Sequence, residues 1–390
     1  MNESCHKSIS LGDIFKVSSG GTPSRKKSEY FNGDIPWVKT GDLKGVYANQ
    51  PTEFITQLGL DNSSAKLFPP STVLLAMYGA TIGACSILSF EAATNQACAA
   101  ILPNENYNEK YLYYYFCYIK PSLVRLGVGG AQPNISAGLI KKLKIPNLVL
   151  EEQKKIAEIL DAADSLRQKD KQLVEHYDRL SQSLFLDMFG DPVTNPKNWE
   201  KVDFASIGTL ERGKSKHRPR NDPALLGGEY PLIQTGDVAN SNGYLTTYKS
   251  TYSELGLKQS KIWSAGTLCI TIAANIAKTG ILTFDACFPD SVVGFINNDK
   301  SNIEYVKFWM GFLQKTLEDS APMAAQKNIN LKILRELEVP LPSIDLQNLF
   351  GERLIKIEKQ KTLAQQALKK SEDLFNSLLQ QVFKGELTNS

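Results

Sequence analysis

IPWVKTGDL at residues 35–43 and YPLIQTGDV at residues 230–238 are nearly the same nine-residue phrase, 195 positions apart in a chain of 390. The shared Pro-x-x-x-Thr-Gly-Asp has company. AKLFPPSTVLLA (65–76) faces SKIWSAGTLCIT (260–271), again 195 apart. EKYLYYYF (109–116) faces IEYVKFWM (303–310), and AQPNISAGLIKKLKIP (131–146) faces AQKNINLKILRELEVP (325–340), both at 194. Four blocks in one order, drifting by one residue, mark an internal duplication. Each copy is long enough to hold its own core.

Composition then bounds the class. Hydrophobic residues make up 42% and charged residues 22%, the ordinary balance of a globular protein. No apolar run approaches the roughly 18–20 residues that span a bilayer, and MNESCHKSIS lacks a signal-peptide core. No membrane association is expected. Cys5, Cys85, Cys98, Cys117, Cys269 and Cys287 are scattered without a C-x-x-C pair, which reads as reduced thiols in a cytoplasmic protein. The net charge is only +3. A nucleic-acid binder of this kind must concentrate its positive charge locally.

Each copy reads as a β-rich globular head followed by a long helix, a mixed α/β (α+β) fold. LGDIFKVSSGGTPSR (11–25) ends in a loop signal. The Thr-Gly-Asp phrase reads as a short strand into a turn, with Asp42 and Asp237 capping turns rather than serving as catalytic carboxylates. From Ile156 onward, apolar residues recur in alternating steps of three and four. The expected seam is Ile156, Ile159, Ala163, Leu166, Leu173, Tyr177, Leu180 and Leu184, with Asp170 its one polar member. The second copy offers a thinner seam through Ile357, Ala364, Leu374 and Leu378, with a neighbouring stripe through Leu354, Ile357, Leu368, Phe375 and Val382 as the alternative that shares the load. Helices this long project beyond a single head and need a partner. The expectation is that the two pair with each other, antiparallel.

The sequence has no phosphate loop, no Gly-x-Gly-x-x-Gly, no His-Glu-x-x-His and no metal-spaced Cys/His cluster. NPKN (195–198) lacks the second proline and the aromatic of an amino-methyltransferase loop. Positive charge is instead local. SRKK supplies Ser24, Arg25, Lys26 and Lys27, and Lys39 follows in the repeat. ERGKSKHRPR (211–220) supplies Lys214, Lys216, Arg218 and Arg220 at the matching place in copy two. Two basic runs at equivalent positions point to nucleic acid, with Lys and Arg on phosphates and Arg able to read guanine edges. The AQPN and AQKN blocks add Gln132, Asn134, Gln326, Lys327 and Asn328. The amides among them could pair with adenine or equally tie down a loop.

Taken together, GGTPSR, the twin strand-turns, AQPNI/AQKNI, IPNLVLEEQKKIAEIL, SLFLDMFGDPVTNPKNW and SLLQQVFKGEL resemble the specificity subunit of Type I restriction-modification systems over essentially the whole chain. The resemblance implies two tandem, pseudo-symmetric target-recognition domains separated by an antiparallel two-helix coil. Its boundaries here would be residues 1–149 and 190–344 for the domains (linker 190–200), with helices at 150–189 and 345–390. It implies double-stranded DNA as ligand, one half-site per domain. It also implies docked methyltransferase subunits, two in number, and restriction/translocase subunits. No catalysis is expected of this chain, and S-adenosylmethionine would be held by the partner. ERGKSKHRPR departs from the SSGGTPSR pattern, so the second domain's loop contacts are expected to differ. The alternatives are a stand-alone adenine methyltransferase, which the missing motifs oppose, and a purely structural coiled-coil scaffold.

Overall fold

The computed structural model describes residues 7–48, 51–127, 134–217, 219–273, 276–320 and 329–384. They divide into two compact units: the described parts of Met1–Lys171 with Gln365–Ser390, and of Gln172–Ala364. Both are mixed α/β.

In the first unit, a five-stranded sheet runs Val17–Ser19, Cys98–Ile101, Val73–Ala76, Cys85–Leu88, Tyr47–Ala48. Beside it a four-stranded sheet runs Glu53–Ile55, Phe31–Val38, Ala92–Thr94, Leu67–Phe68. Residues Val73–Ala76 and Cys98–Ile101 are buried on both faces. This explains their unbroken apolar runs, which a half-exposed strand would not tolerate. The helix Glu109–Leu126 packs on the larger sheet and buries Tyr111, Leu112, Tyr115 and Phe116 in the shared core. Asn108 caps it, accepting from the backbone N–H of Lys110 and Tyr111.

The second unit repeats this order. Its five-stranded sheet runs Gly208–Arg212, Val292–Asn297, Leu268–Thr271, Thr279–Leu282, Gly243–Leu245. Its four-stranded sheet runs Ser250–Tyr252, Leu226–Leu232, Ala286–Cys287, Ile262–Trp263. Even the irregularity repeats. The strand beginning at Phe31 shifts register between Phe31 and Ile35, and that beginning at Leu226 shifts between Leu226 and Tyr230. The Thr-Gly-Asp phrases end these strands as expected. Asp42 Oδ2 accepts from the Lys39 backbone N–H at 2.8 Å, and Asp237 Oδ2 from that of Gln234 at 2.9 Å. Both aspartates are turn caps.

Two helices of 40 residues follow the heads, Leu150–Phe189 and Ile344–Phe383. Each contributes to both units. In the first, Ile156, Leu160 and Ala163 share a core with Phe375, Leu379, Val382 and Phe383. In the second, Lys361 pairs with Asp178 at 2.5 Å, while the Phe350 ring lies 5.6 Å from Phe185 and 5.3 Å from Phe189. One helix ascends as the other descends, so the pairing is antiparallel.

The seam differs from the sequence expectation in one of its two series. Ile156 and Ala163 are buried, and Tyr177 and Leu184 half-buried. Ile159, Leu166, Leu173 and Leu180, however, are 40–46% exposed. The inward series lies one residue later, at Leu160, Arg167, Val174 and Ser181. On the second helix Ala364 is buried, Ile357 and Leu378 are half-buried, and Leu374 is exposed, its place taken by Phe375. The physical reason is that the inward stripe is partly polar and therefore hidden. Arg167 pairs with Asp164 and lies 4.9 Å over the Phe375 ring, so a charged residue is satisfied at an inward position.

A Gly190 backbone at φ +80° ends the first long helix. Lys197 Nζ then donates to the Met188 carbonyl at 2.9 Å, and Trp199 Nε1 to that of Phe189 at 2.9 Å, satisfying the free carbonyls of the last turn.

Candidate nucleic-acid interface

In the first unit, the loop carrying SRKK is fixed from below. A Cβ on Gly20 would fall 2.0 Å from the Thr94 carbonyl oxygen, and one on Gly21 2.2 Å from the Ser64 backbone. Only glycine permits the loop to lie so close to the small sheet. Trp37, 2% exposed, donates from Nε1 to the Gly21 carbonyl at 3.1 Å. Thr22 contacts the Gln96 amide.

Above this anchor the predicted residues separate. Arg25 and Lys39 meet on one carboxylate. Glu53 Oε2 lies 2.6 Å from Arg25 Nη2, and Oε1 lies 2.5 Å from Lys39 Nζ. The Arg25 guanidinium also sits 4.6 Å over the Phe31 ring and 5.1 Å over that of Trp37. Strand register makes this arrangement, because Glu53 pairs directly opposite Trp37. The Lys39 ammonium, and after it the Arg25 guanidinium, hold the Glu53 carboxyl below its usual range. Lys27 donates to the Tyr30 hydroxyl at 2.9 Å, which raises the lysine's pKa. Ser24 and Lys26 are exposed. Asn134 is exposed and bridges Tyr78 rather than this cluster. Gln132 lies outside the described residues.

In the second unit the same places hold other chemistry. Leu232 pairs with Ser250 where Trp37 pairs with Glu53, and Gln234 precedes the Thr-Gly-Asp cap where Lys39 does. The cation here is Arg220, paired with Asp290, whose carbonyl accepts from Arg212 Nε at 2.9 Å. His217 Nε2 lies 3.0 Å from Asp222. The Asp222 carboxyl is lowered first by the Ala224 backbone N–H and then by His217. Lys214 and Lys216 are exposed. Lys261 lies 4.0 Å over the Trp263 ring and 2.7 Å from Glu211. Arg218, Gln326, Lys327 and Asn328 lie outside the described residues.

Sequence reasoning missed Glu53, Phe31, Trp37 and Asp290 as members of these clusters. The signal for Glu53 was its place in TEFITQ, an alternating segment that turns a carboxylate outward beside basic neighbours. Among the described residues no group of His, Cys, Asp and Glu could hold a metal ion, and no helix is long and apolar enough to cross a membrane.

Residues 5–176 and 196–371 each match the profile of the Type I restriction modification DNA specificity domain. The chain is 29% identical to the Type I restriction enzyme MjaIX specificity subunit of Methanocaldococcus jannaschii over 272 residues, 65% of this chain and 62% of that one. It is 31% identical to the EcoR124I/EcoR124II specificity subunit of Escherichia coli over 40% of each chain. It therefore aligns with less than two thirds of either relative's length. A longer alignment, 24% identical, covers 97% of this chain and 86% of the Escherichia coli EcoBI specificity subunit. The fold is that of the Type I restriction-modification S subunit from M. genitalium, with TM-score 0.60 and 15% identity over 98% of this chain and 97% of that one. A chain from a structure of Type I restriction-modification complex assembly and conformational transition gives TM-score 0.59 and 15% identity, covering 99% of this chain and 100% of that one.

Proposed function

The chain belongs to the Type I restriction modification DNA specificity domain family, and on that premise we propose that it chooses the DNA sequence on which a Type I restriction-modification complex acts. The two heads, taken as residues 1–149 and 190–344, each read one half of a two-part site in double-stranded DNA. The helices Leu150–Phe189 and Ile344–Phe383 carry the catalytic partners. The observation that carries this reading is the contrast between the heads. Their sheets, register shifts and turn caps are alike, yet Lys39 and Glu53 of one stand where the other has Gln234 and Ser250. A shared frame with different outward chemistry is what two readers of different bases require.

The chain itself performs no catalysis. Methylation uses S-adenosylmethionine held by partner methyltransferase subunits, two per complex, and restriction/translocase subunits join them in the cytoplasm. The exposed series Ile159, Leu166, Leu173 and Leu180 supports docking on the long helices. Apolar residues at seven-residue spacing on one helix face form the seam of a further helical partner.

The test is expression of this chain with and without a Type I methyltransferase subunit of the same organism, followed by sequencing of DNA methylation. A split motif methylated only when both proteins are present supports the proposal. Methylation by either protein alone contradicts it.

A further inference from the structure

We propose that Arg25 is a base-reading side chain of the first head, taking the N7 and O6 edge of a guanine, with Glu53 as its positioning residue, while Lys26 and Lys27 meet phosphate. This rests on the DNA-recognition reading above and divides the basic loop by role.

The division follows from how tightly each cation is held. A phosphate contact needs a positive charge within reach and tolerates a mobile side chain. A bidentate contact to a base edge needs a guanidinium plane already fixed, since ordering a free arginine on binding opposes affinity. Among the cations of this loop, Arg25 alone has a guanidinium plane to fix; Lys27 is held by the Tyr30 hydroxyl at 2.9 Å, but its ammonium is a point charge with no fork. Two rings lie beneath Arg25, Phe31 at 4.6 Å and Trp37 at 5.1 Å, and Glu53 holds Nη2 at 2.6 Å. The support is itself rigid. Trp37 is buried and bonded to Gly21, and Glu53 is held by Lys39 and by the strand pairing opposite Trp37. The Arg25 side chain is nonetheless 56% exposed. The pair with Glu53 engages one nitrogen of a group that carries five N–H donors, leaving enough for a bidentate contact.

Charge matching points the same way. Arg25 already faces a carboxylate, so it adds less than a free cation to general attraction for DNA. Its value lies in geometry. Lys26 is exposed, and an ammonium has no plane to fix. Among its described residues the second head lacks this assembly, with Ser250 at the place of Glu53 and Gln234 at that of Lys39. The proposed guanine contact is thus assigned to the first head's half-site.

The experiment assembles the complex with the wild-type chain and with Arg25→Lys, Glu53→Gln and Lys26→Ala. Each is challenged with randomised duplex DNA at several salt concentrations, and the bound sequences are read. Arg25→Lys keeps the charge and loses the fork. It should cut discrimination at one G·C pair of one half-site by about ten-fold or more, with the salt slope unchanged. Glu53→Gln should weaken discrimination at that same pair while tightening binding to all DNA, because a carboxylate is gone. Lys26→Ala should lower the log–log salt slope by about 0.9 and leave every base preference intact. The second half-site reports that each variant is folded. Should Arg25→Lys fail to assemble, Arg25→Gln decides through the same base pair. Unchanged preferences in Arg25→Lys, or a loss spread evenly over all positions, would overturn the proposal. If all of the variants bind with wild-type slope and preference, the placement of DNA on this loop fails as well.

Discussion

Gln153 and Gln347 occupy equivalent places in the two copies and make the same three hydrogen bonds. Gln153 Oε1 accepts from the Asn108 backbone N–H at 2.9 Å, while Nε2 donates to the carbonyls of Leu148 at 2.9 Å and Asn106 at 3.2 Å. Gln347 does so with Asn302 at 2.9 Å, Pro342 at 2.9 Å and Lys300 at 3.2 Å. Both side chains are fully buried. Each locks the start of a long helix to the cap of its own head helix.

Removing either amide should therefore be costly. Gln153→Ala or Gln347→Ala strands one N–H and two carbonyls, at about 1–3 kcal/mol for each buried group left bare. Thermal unfolding should show the transition of the affected unit moved several degrees down. A midpoint shift indistinguishable from that of an exposed-residue control would contradict this account of the joint.

The long helices offer a sharper contrast. Leu160→Ala removes a fully buried side chain and should cost about 2–5 kcal/mol. Leu166→Glu and Leu173→Glu change exposed positions and should stay within about 0.5 kcal/mol of wild type, yet abolish co-purification with the methyltransferase. If Leu166→Glu destabilises as Leu160→Ala does, the assignment of the inward face is wrong.

Acid should loosen the Arg25 anchor. The Glu53 carboxyl lies below its ordinary value because of Lys39 first and Arg25 next. A carboxyl lowered in the folded state contributes stability that is complete above its unfolded value and lost as pH falls through the folded one. The stability difference between wild type and Glu53→Gln should thus be flat at neutral and mildly alkaline pH and shrink in acid. A difference that grows in acid would reverse the sign and refute the pairing.

Much of this was legible because it is local. Turn chemistry is written in adjacent residues, so Thr-Gly-Asp could be read as a cap. The helix seam was half legible. Ile156 and Ala163 face inward as their spacing implies, but Ile159, Leu166, Leu173 and Leu180 form an equally regular apolar series one residue away. Spacing alone does not say which series meets the paired helix. The true one includes Arg167 and Ser181, both of which look like surface. The Arg25 cluster was out of reach for a different reason. Glu53 comes to Arg25 only through the register that sets it opposite Trp37, and register is a tertiary fact.

Independence of the two heads is the centre of the account, and a head exchange tests it most directly. Residues 1–149 are replaced by the corresponding head of a relative, the chimera is expressed with its methyltransferase, and the methylated motif is mapped by sequencing. The account predicts that one half of the motif changes to that of the donor while the other half stays as it was. A chimera in which both halves change together would contradict it.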